Sequence, residues 1–255
     1  MEKNSKIIKK LKSDSFILLK NSIDKKLLKK LLFEVGKVRS KIKNLRDIHY
    51  INNNNKKKLS SLHNIHLYSK FYKKFIYESK LNEIVKEIFG TSSKKIFNSS
   101  FFVKPAKCGI ETKMHQDNAF FNLKRGEALT CWIPLDETSY KNSCLYYYKG
   151  SSKLGNLSHV PEGNVGASMT IANNKKMTNK LKKFKKTLVA AQPGDCIIHD
   201  SLVIHGSKKN LSSYERRALN FSIKSKKDTR NKKMFLAYKN KLENYLKLKK
   251  NVLQK

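Results

Sequence analysis

The chain has 255 residues, enough for one large domain or two small ones around a real hydrophobic core. It is 39% hydrophobic and 29% charged, which fits a globular fold and excludes a disordered or fibrous chain. Lys and Arg outnumber Asp and Glu by 56 to 19, a net charge of +37, so nucleic acid is the first partner to weigh.

The opening MEKNSKIIKKLKSD is too polar for a signal peptide. DSFILLKN, from Asp14 to Asn21, predicts a short strand. SIDKKLLKKLLFEVGKVRSKIKNL predicts a helix capped by Ser22 or Asp24, with Leu27, Leu28, Leu31, Leu32 and Val35 as its apolar stripe. Asn52 to Lys58 has no core-forming content and reads as a polar loop. Residues 62–90 read as helical, closing at Gly90. From about Ile96 the pattern turns to strands: IFNSSFFVKP, MHQDNAFFNL, EALTCWIPLD, NSCLYYYKG, LVAAQPGDCIIHDSLVIHG and RRALNFSIKS. Six or more short strands with turns between them favour a barrel or sandwich over a parallel sheet. Residues 149–187 are mostly irregular, and a loop of that length is expected to be a lid or disordered. The basic tail from Lys226 predicts an amphipathic helix whose stripe of Phe235, Tyr238, Leu242, Tyr245 and Leu246 reads as core packing.

The expected organisation is one domain over 1–255: an N-terminal strand and helices (1–95), a β core (96–225) with the 149–187 lid, and a C-terminal helix (226–255). Cys108, Cys131, Cys144 and Cys196 form no CxxC pair and no zinc spacing, so they are expected to be reduced, in a cytoplasmic protein. No apolar run approaches the roughly 20 residues of a membrane-spanning helix, and no membrane partner is expected.

His115 and Asp117 are two apart in MHQD, and in a strand residues two apart share a face. A third ligand would complete a metal site, and PGDCIIHDSLVIHG offers His199 and His205. Two histidines and a carboxylate on one face of an octahedral Fe(II) leave three positions open, room for a bidentate cosubstrate and dioxygen together. An arginine would hold the cosubstrate's far carboxylate, and Arg216 and Arg217 both lie nearby in sequence. Arg217 shares its strand face with Leu219, Phe221 and Ile223, a packing face. Arg216 shares its own with Ala218, Asn220 and Ser222, which leaves room for a ligand.

MHQD, CWIPLDETSYKNSCLYYYKGSSK and PGDCIIHDSLVIHGSKKNLSSYERRA, in that order, make the chain resemble the phytanoyl-CoA dioxygenase family of Fe(II)/2-oxoglutarate oxygenases. The resemblance runs from DSFILLKNSIDKKLLKKLL to about Ser225. It implies a double-stranded β-helix (jelly-roll or cupin-like) core with helices packed outside. It implies His115, Asp117 and His205 as iron ligands and Arg216, eleven residues after His205, as the 2-oxoglutarate arginine. Trp132 and Ser207 fall where relatives line the 2-oxoglutarate pocket, and His199 becomes a buried histidine beside the ligands. The implied activity is hydroxylation of a C–H bond of a small molecule with O2 and 2-oxoglutarate as cosubstrates and succinate and CO2 as products. Related halogenases replace the carboxylate ligand by a small residue; Asp117 keeps it. The family's Asn-Gly and Pro-Gly-Ser-His turns here read Asn142-Ser143 and Lys149-Gly150-Ser151-Ser152.

Lys149, Lys153, Lys175 and Lys176, in and near the lid, would suit an anionic substrate. Lysines are nevertheless spread along the whole chain, with Asn and Ile abundant and Arg scarce, as A/T-rich codons alone produce. Phosphate readers favour Arg for its planar fork, so nucleic-acid or metabolite binding on an oxygenase scaffold is the alternative reading.

Overall fold

The computed structural model describes residues 2–44, 47–53, 56–89, 95–162, 169–172 and 175–253. The N-terminal part carries α1 (Glu2–Asp14), β1 (Phe16–Leu19), α2 (Lys25–Lys41), the hairpin β2 (Ile48–Asn53) and β3 (Lys56–His63), then α3 (Ile65–Tyr68), α4 (Lys70–Glu78) and α5 (Lys80–Phe89). Asp24, not Ser22, caps α2: its Oδ1 accepts from the Leu27 N–H at 2.8 Å. The buried face of α2 is Leu28, Leu31, Val35 and Val38.

Two expectations are corrected here for local reasons. Of the polar segment Asn52 to Lys58, the described residues 52–53 and 56–58 belong to the strands β2 and β3, with Asn53 opposite Lys56. Backbone pairing needs no apolar side chain, so the hydrophobic pattern is silent about it. Of the segment read as helical, residues 62–63 end β3 and residues 65–89 form three helices, because Ser69 and Ser79 restart the chain by accepting from the N–H of Tyr72 and Asn82. Gly90 lies outside the described residues. The first residues form α1 because Leu11 is buried and Ile7 packs beside it, giving a polar helix one anchored face.

The β region holds β4 (Lys95–Lys104), β5 (Thr112–His115), α6 (Asn118–Phe121), β6 (Ala128–Pro134), β7 (Leu145–Tyr148), β8 (His159–Pro161), β9 (Met169–Ile171), α7 (Lys175–Leu181), β10 (Lys186–Val189), β11 (Cys196–Asp200), β12 (His205–Ser207), β13 (Arg216–Lys224) and finally α8 (Lys232–Leu253). A seven-stranded antiparallel sheet runs β1-β11-β6-β13-β4-β3-β2, and a four-stranded sheet runs β10-β7-β12-β5.

Period-two alternation along β13 sorts its residues between two environments. Leu219, Phe221 and Ile223 point to the back, where Leu31, Ile76, Val85 and their neighbours bring the N-terminal helices against the sheet. Burying each such side chain contributes about 2 kcal/mol. Ala218 points forward with Trp132 and Ile197, against Leu145, Tyr147 and Val189 of the smaller sheet. Phe16 stacks on Tyr147 at 4.3 Å and closes that end of the interior. This is a double-stranded β-helix with helices on the outside of its larger sheet.

The described residues of the 149–187 segment (149–162, 169–172 and 175–187) include regular elements. They contain a short 3-10 turn (Ser151–Leu154), the β8–β9 pair, α7 and β10. Ser143 adopts φ +77 where the family pattern has glycine, and its hydroxyl donates to the Lys208 carbonyl. Ser151 accepts from the Ile204 N–H at 2.8 Å, tying the loop to the approach of β12. All four cysteines are free, and Cys131, Cys144 and Cys196 are buried. Among the described residues no helix is long and apolar enough to cross a membrane.

Candidate active site

Strand register brings the first two site residues together. His115 ends β5 directly opposite His205 at the start of β12, so their rings lie side by side with centroids 4.2 Å apart. The strand does not continue to Asp117, contrary to the same-face expectation. The chain turns into helical geometry there (φ −58°, ψ −30°) and Asp117 becomes the residue before α6. That turn folds its carboxylate back: Asp117 Oδ1 is 3.6 Å from His115 Nε2 and 3.5 Å from His205 Nε2. One donor atom from each of the three lies within 4.8 Å of the others.

Both histidines are held in one tautomer. His115 Nδ1 is 2.8 Å from the Lys113 carbonyl and His205 Nδ1 is 3.1 Å from the Val203 carbonyl. A carbonyl only accepts, so each Nδ1 carries the proton and each Nε2 presents a lone pair. Burial, reinforced by the neighbouring His115, holds the His205 pKa well below the usual histidine value, so its imidazole stays neutral. Burial alone would raise the Asp117 pKa. His115, His199 and His205 around it outweigh that and hold the carboxyl well below its usual range. Two neutral imidazoles and a carboxylate fit a divalent cation such as Fe(II).

His199 does not share a strand with His205. It lies on β11, in the other sheet, and both its ring nitrogens are used: Nε2 is 3.1 Å from Asp117 Oδ2 and Nδ1 is 3.0 Å from the Tyr147 hydroxyl. Thr130 donates to the same Asp117 oxygen at 2.6 Å and meets Ser222 at 2.9 Å. Oδ1 is thereby left toward the two Nε2 atoms.

The two arginines separate cleanly. Arg217 grips Asp136 with two bonds, Nε at 2.9 Å and a terminal nitrogen at 2.7 Å. Arg216 is only 3% exposed, joins none of the ion pairs found among the described residues, and has a buried Nε without a hydrogen-bond partner. Its guanidinium lies 5.4 Å from the centre of the Trp132 ring, and burial pushes its pKa down to about 10, still charged at neutral pH. A buried cation with an unused donor, facing a cavity, is fitted to an anion.

That cavity, of about 600 Å³, is lined by His115, Asp117, His205, Arg216, Trp132 and Ser207 among others. Gly206 is required between His205 and Ser207. A Cβ there would sit 2.6 Å from the Tyr146 hydroxyl and 2.7 Å from the Thr112 carbonyl. Lys149, Lys153, Lys175 and Lys176 do not line the cavity; Lys149 is instead paired with Asp14 at 3.1 Å.

Sequence reading missed Lys104, Thr130, Gln116 and Asn220. Lys104 lies opposite Arg216, is buried, and donates to the Ser207 and Lys208 carbonyls. Burial, and then Arg216 beside it, lower its pKa strongly. One lysine among so many carries no compositional signal. Gln116, between His115 and Asp117, bonds the Gly155 and Leu202 carbonyls and the Leu157 N–H, clamping residues 155–157 to the approach of β12. Asn220 keeps a buried Oδ1 without a partner. Its place on the arginine's face was the available clue.

A double-stranded β-helix carrying a His-x-Asp…His set and a buried arginine is the architecture of the Fe(II)- and 2-oxoglutarate-dependent oxygenases. Within it, the chain belongs to the phytanoyl-CoA dioxygenase family, whose sequence model matches residues 12–218. A phytanoyl-CoA dioxygenase domain-containing protein 1 homolog of Caenorhabditis elegans is 28% identical over 173 residues, 66% of this chain and 59% of that protein. A probable alpha-ketoglutarate-dependent hypophosphite dioxygenase of Stutzerimonas stutzeri is 28% identical over 165 residues, 64% of this chain and 56% of its own. The match thus spans less than two thirds of these curated relatives. Among solved structures, EctD from S. alaskensis, crystallised with 2-oxoglutarate and 5-hydroxyectoine, superposes with TM-score 0.71 at 17% identity, over 87% of this chain and 76% of its own. The epimerase SnoN, in complex with Fe3+, alpha ketoglutarate and nogalamycin RO, gives 0.72 at 14% identity, over 90% and 86%. These two likenesses concern the fold.

Proposed function

We propose that the protein is an Fe(II)- and 2-oxoglutarate-dependent dioxygenase that hydroxylates a C–H bond of a small molecule and releases succinate and CO2. The observation that carries this reading is the pairing, within one cavity, of the His115–Asp117–His205 set with an Arg216 that lacks an anion. His115, Asp117 and His205 would hold the metal through two Nε2 atoms and one carboxylate oxygen. When bound, iron supplies the redox chemistry, coupling oxidative decarboxylation of 2-oxoglutarate to insertion of oxygen into the substrate.

This chain's residues do the rest. Arg216 takes the distal carboxylate of 2-oxoglutarate in a charge-assisted, two-pronged bond, and the Trp132 face keeps the guanidinium in place. Ser207, buried on the same wall, lines the cosubstrate's path. Thr130 and His199 fix Asp117, so its orientation does not depend on the ligand. With iron bound, the Asp117 carboxylate would serve as a ligand where related halogenases carry a small residue, and its presence here supports hydroxylation. Relatives are named for phytanoyl-CoA and, as a probable activity, for hypophosphite, so their names point to no single substrate.

The test is anaerobic titration of 2-oxoglutarate into Fe(II)-loaded protein, following the visible metal-to-ligand charge-transfer band. The band should form in the wild type, be lost or weakened in Asp117→Ala, and need much more 2-oxoglutarate in Arg216→Ala. A folded, iron-loaded wild type without the band would overturn the reading and return attention to the lysine-rich surface.

A further inference from the structure

The cavity has two halves. The inner one holds Arg216, Lys104 and Trp132, which the cosubstrate reading uses. The outer one is walled by the β2–β3 hairpin, the near half of β4, and α8. Register sets its inward row: His49 opposite Ser61, Ser61 opposite Phe102, His63 opposite Ser100, and Ser100 opposite Asn220. The His49 and His63 rings meet edge to face at 5.1 Å, and Phe102 stands edge-on to His63 at 5.7 Å.

At the mouth a ladder of rings leads outward from the metal ligands. His115 meets Phe120 at 5.7 Å, and Phe120 meets Tyr238 of α8 at 6.4 Å. Leu242, one turn further along α8, also lines the cavity. Tyr238 and Leu242 were expected to be core residues; they face the cavity instead. Lys241 donates to the His159 carbonyl at 3.4 Å and fastens the helix beside β8. The segment that matches the family ends at residue 218, so α8 lies outside it.

The outer half carries no unbalanced charge. Among the described residues, Lys104 and Arg216 are the Lys and Arg side chains that line the cavity, and both belong to the inner half. Glu111 is paired with Lys208 at 3.2 Å and Glu162 with Lys113 at 2.9 Å. Burial, then the neighbouring His49, push the His63 pKa down to about 4, so that ring is neutral at pH 7. An ion placed there would lose its hydration without gaining a partner. A hydrogen-bonding group fares better, because the Asn220 carboxamide keeps its buried Oδ1 unpaired.

We propose that the outer half takes an uncharged, largely apolar small molecule bearing a hydroxyl or amide, with its apolar part between Phe102, Phe120, Tyr238 and Leu242 and its polar group at Asn220. The C-terminal helix is then a specificity element that the family match does not cover. This assignment rests on the oxygenase reading of the inner half. It also runs against the surface charge: among the described residues every lysine except Lys104 lies outside the cavity, and its outer half selects neutrality.

The test uses matched alcohol and carboxylate probes: phenylbutanol with phenylbutyrate, cyclohexylmethanol with cyclohexanecarboxylate, and octanol with octanoate. They are added anaerobically to the Fe(II)- and 2-oxoglutarate-loaded protein. Binding is read by the fluorescence of Trp132, the single tryptophan, and by the shift of the visible band. At least one alcohol should bind about tenfold more tightly than its carboxylate. Tyr238→Ala and Leu242→Ala should each weaken that alcohol roughly fivefold, with 2-oxoglutarate affinity on the same samples as the folding control. Carboxylates binding as tightly as alcohols, α8 variants without effect, or no alcohol binding to an intact 2-oxoglutarate complex would overturn the assignment alone. Absence of that complex in the wild type, seen before any probe is added, would overturn the oxygenase reading and the assignment together.

Discussion

His199 Nε2 lies 3.1 Å from Asp117 Oδ2, while the other oxygen of that carboxylate faces His115 and His205. One carboxylate is thus divided between a buttress and a metal position. His199 has no free ring nitrogen, since Tyr147 engages the other. His199→Ala should therefore weaken Fe(II) or Co(II) binding by roughly 10–100-fold, the usual cost of losing a group that orients a ligand. His205→Ala should abolish specific binding. Isothermal titration of both variants checks this; equal losses would make His199 a ligand.

Arg216 and Arg217 are adjacent yet predict opposite phenotypes. Arg216→Lys keeps a charge but loses the fork, so 2-oxoglutarate affinity should fall by about tenfold or more. Arg217→Ala removes the two-pronged grip on Asp136 at a half-exposed site, costing about 1 kcal/mol of stability, with the 2-oxoglutarate titration little changed. Urea unfolding and the visible band measure the two quantities on the same samples. A stability loss in the first variant and a cosubstrate loss in the second would exchange the roles.

What was legible in the sequence depended on which residues signal by type. The β13 faces were readable because Leu219, Phe221 and Ile223 alternate with small and polar neighbours. His115, Asp117 and His205 were readable because their types are scarce and their spacing chemical. The β2–β3 hairpin was not, because its Lys and Asn side chains say nothing about backbone pairing. Nor was the strand-to-helix switch between His115 and Asp117, since AFF suits either element. The division of His199 and His205 between two sheets is a tertiary fact that one apolar run conceals.

Acid should destabilise the protein through His63. The folded protein keeps this ring neutral to about pH 4, mainly by burial and secondarily by His49, with Asp47 opposing, against 6.5 for the free side chain. The unfolded chain therefore takes up the proton first as pH falls. The contribution is complete above 6.5 and is lost between 6.5 and 4, amounting to about 2 kcal/mol already at pH 5. Asp200, raised to about 6 chiefly by burial, acts in the opposite direction over its own range. The comparison of wild type with His63→Gln isolates the histidine. Urea midpoints at pH 7.5 and 5 (both assay settings) should fall further in the wild type; parallel falls would show that His63 already titrates normally in the fold.

Gly206→Ala links packing to the site directly. The added methyl would meet the Tyr146 hydroxyl at 2.6 Å and the Thr112 carbonyl at 2.7 Å. A tyrosine tip can swing away, but the Thr112 carbonyl belongs to β5, the strand that ends in His115. Relief must come from prising β12 off β5, which separates His205 from His115, the pair that register holds opposite one another. Overpacking of this kind costs about 1–3 kcal/mol, and metal affinity should fall alongside stability. Tyr146→Phe in the same chain removes only the hydroxyl clash. The double variant should therefore recover part of the stability while metal binding stays impaired, because the backbone clash remains. Full recovery of both in thermal melts and Co(II) titrations would show that the Tyr146 hydroxyl, rather than the β5 backbone, demands glycine here.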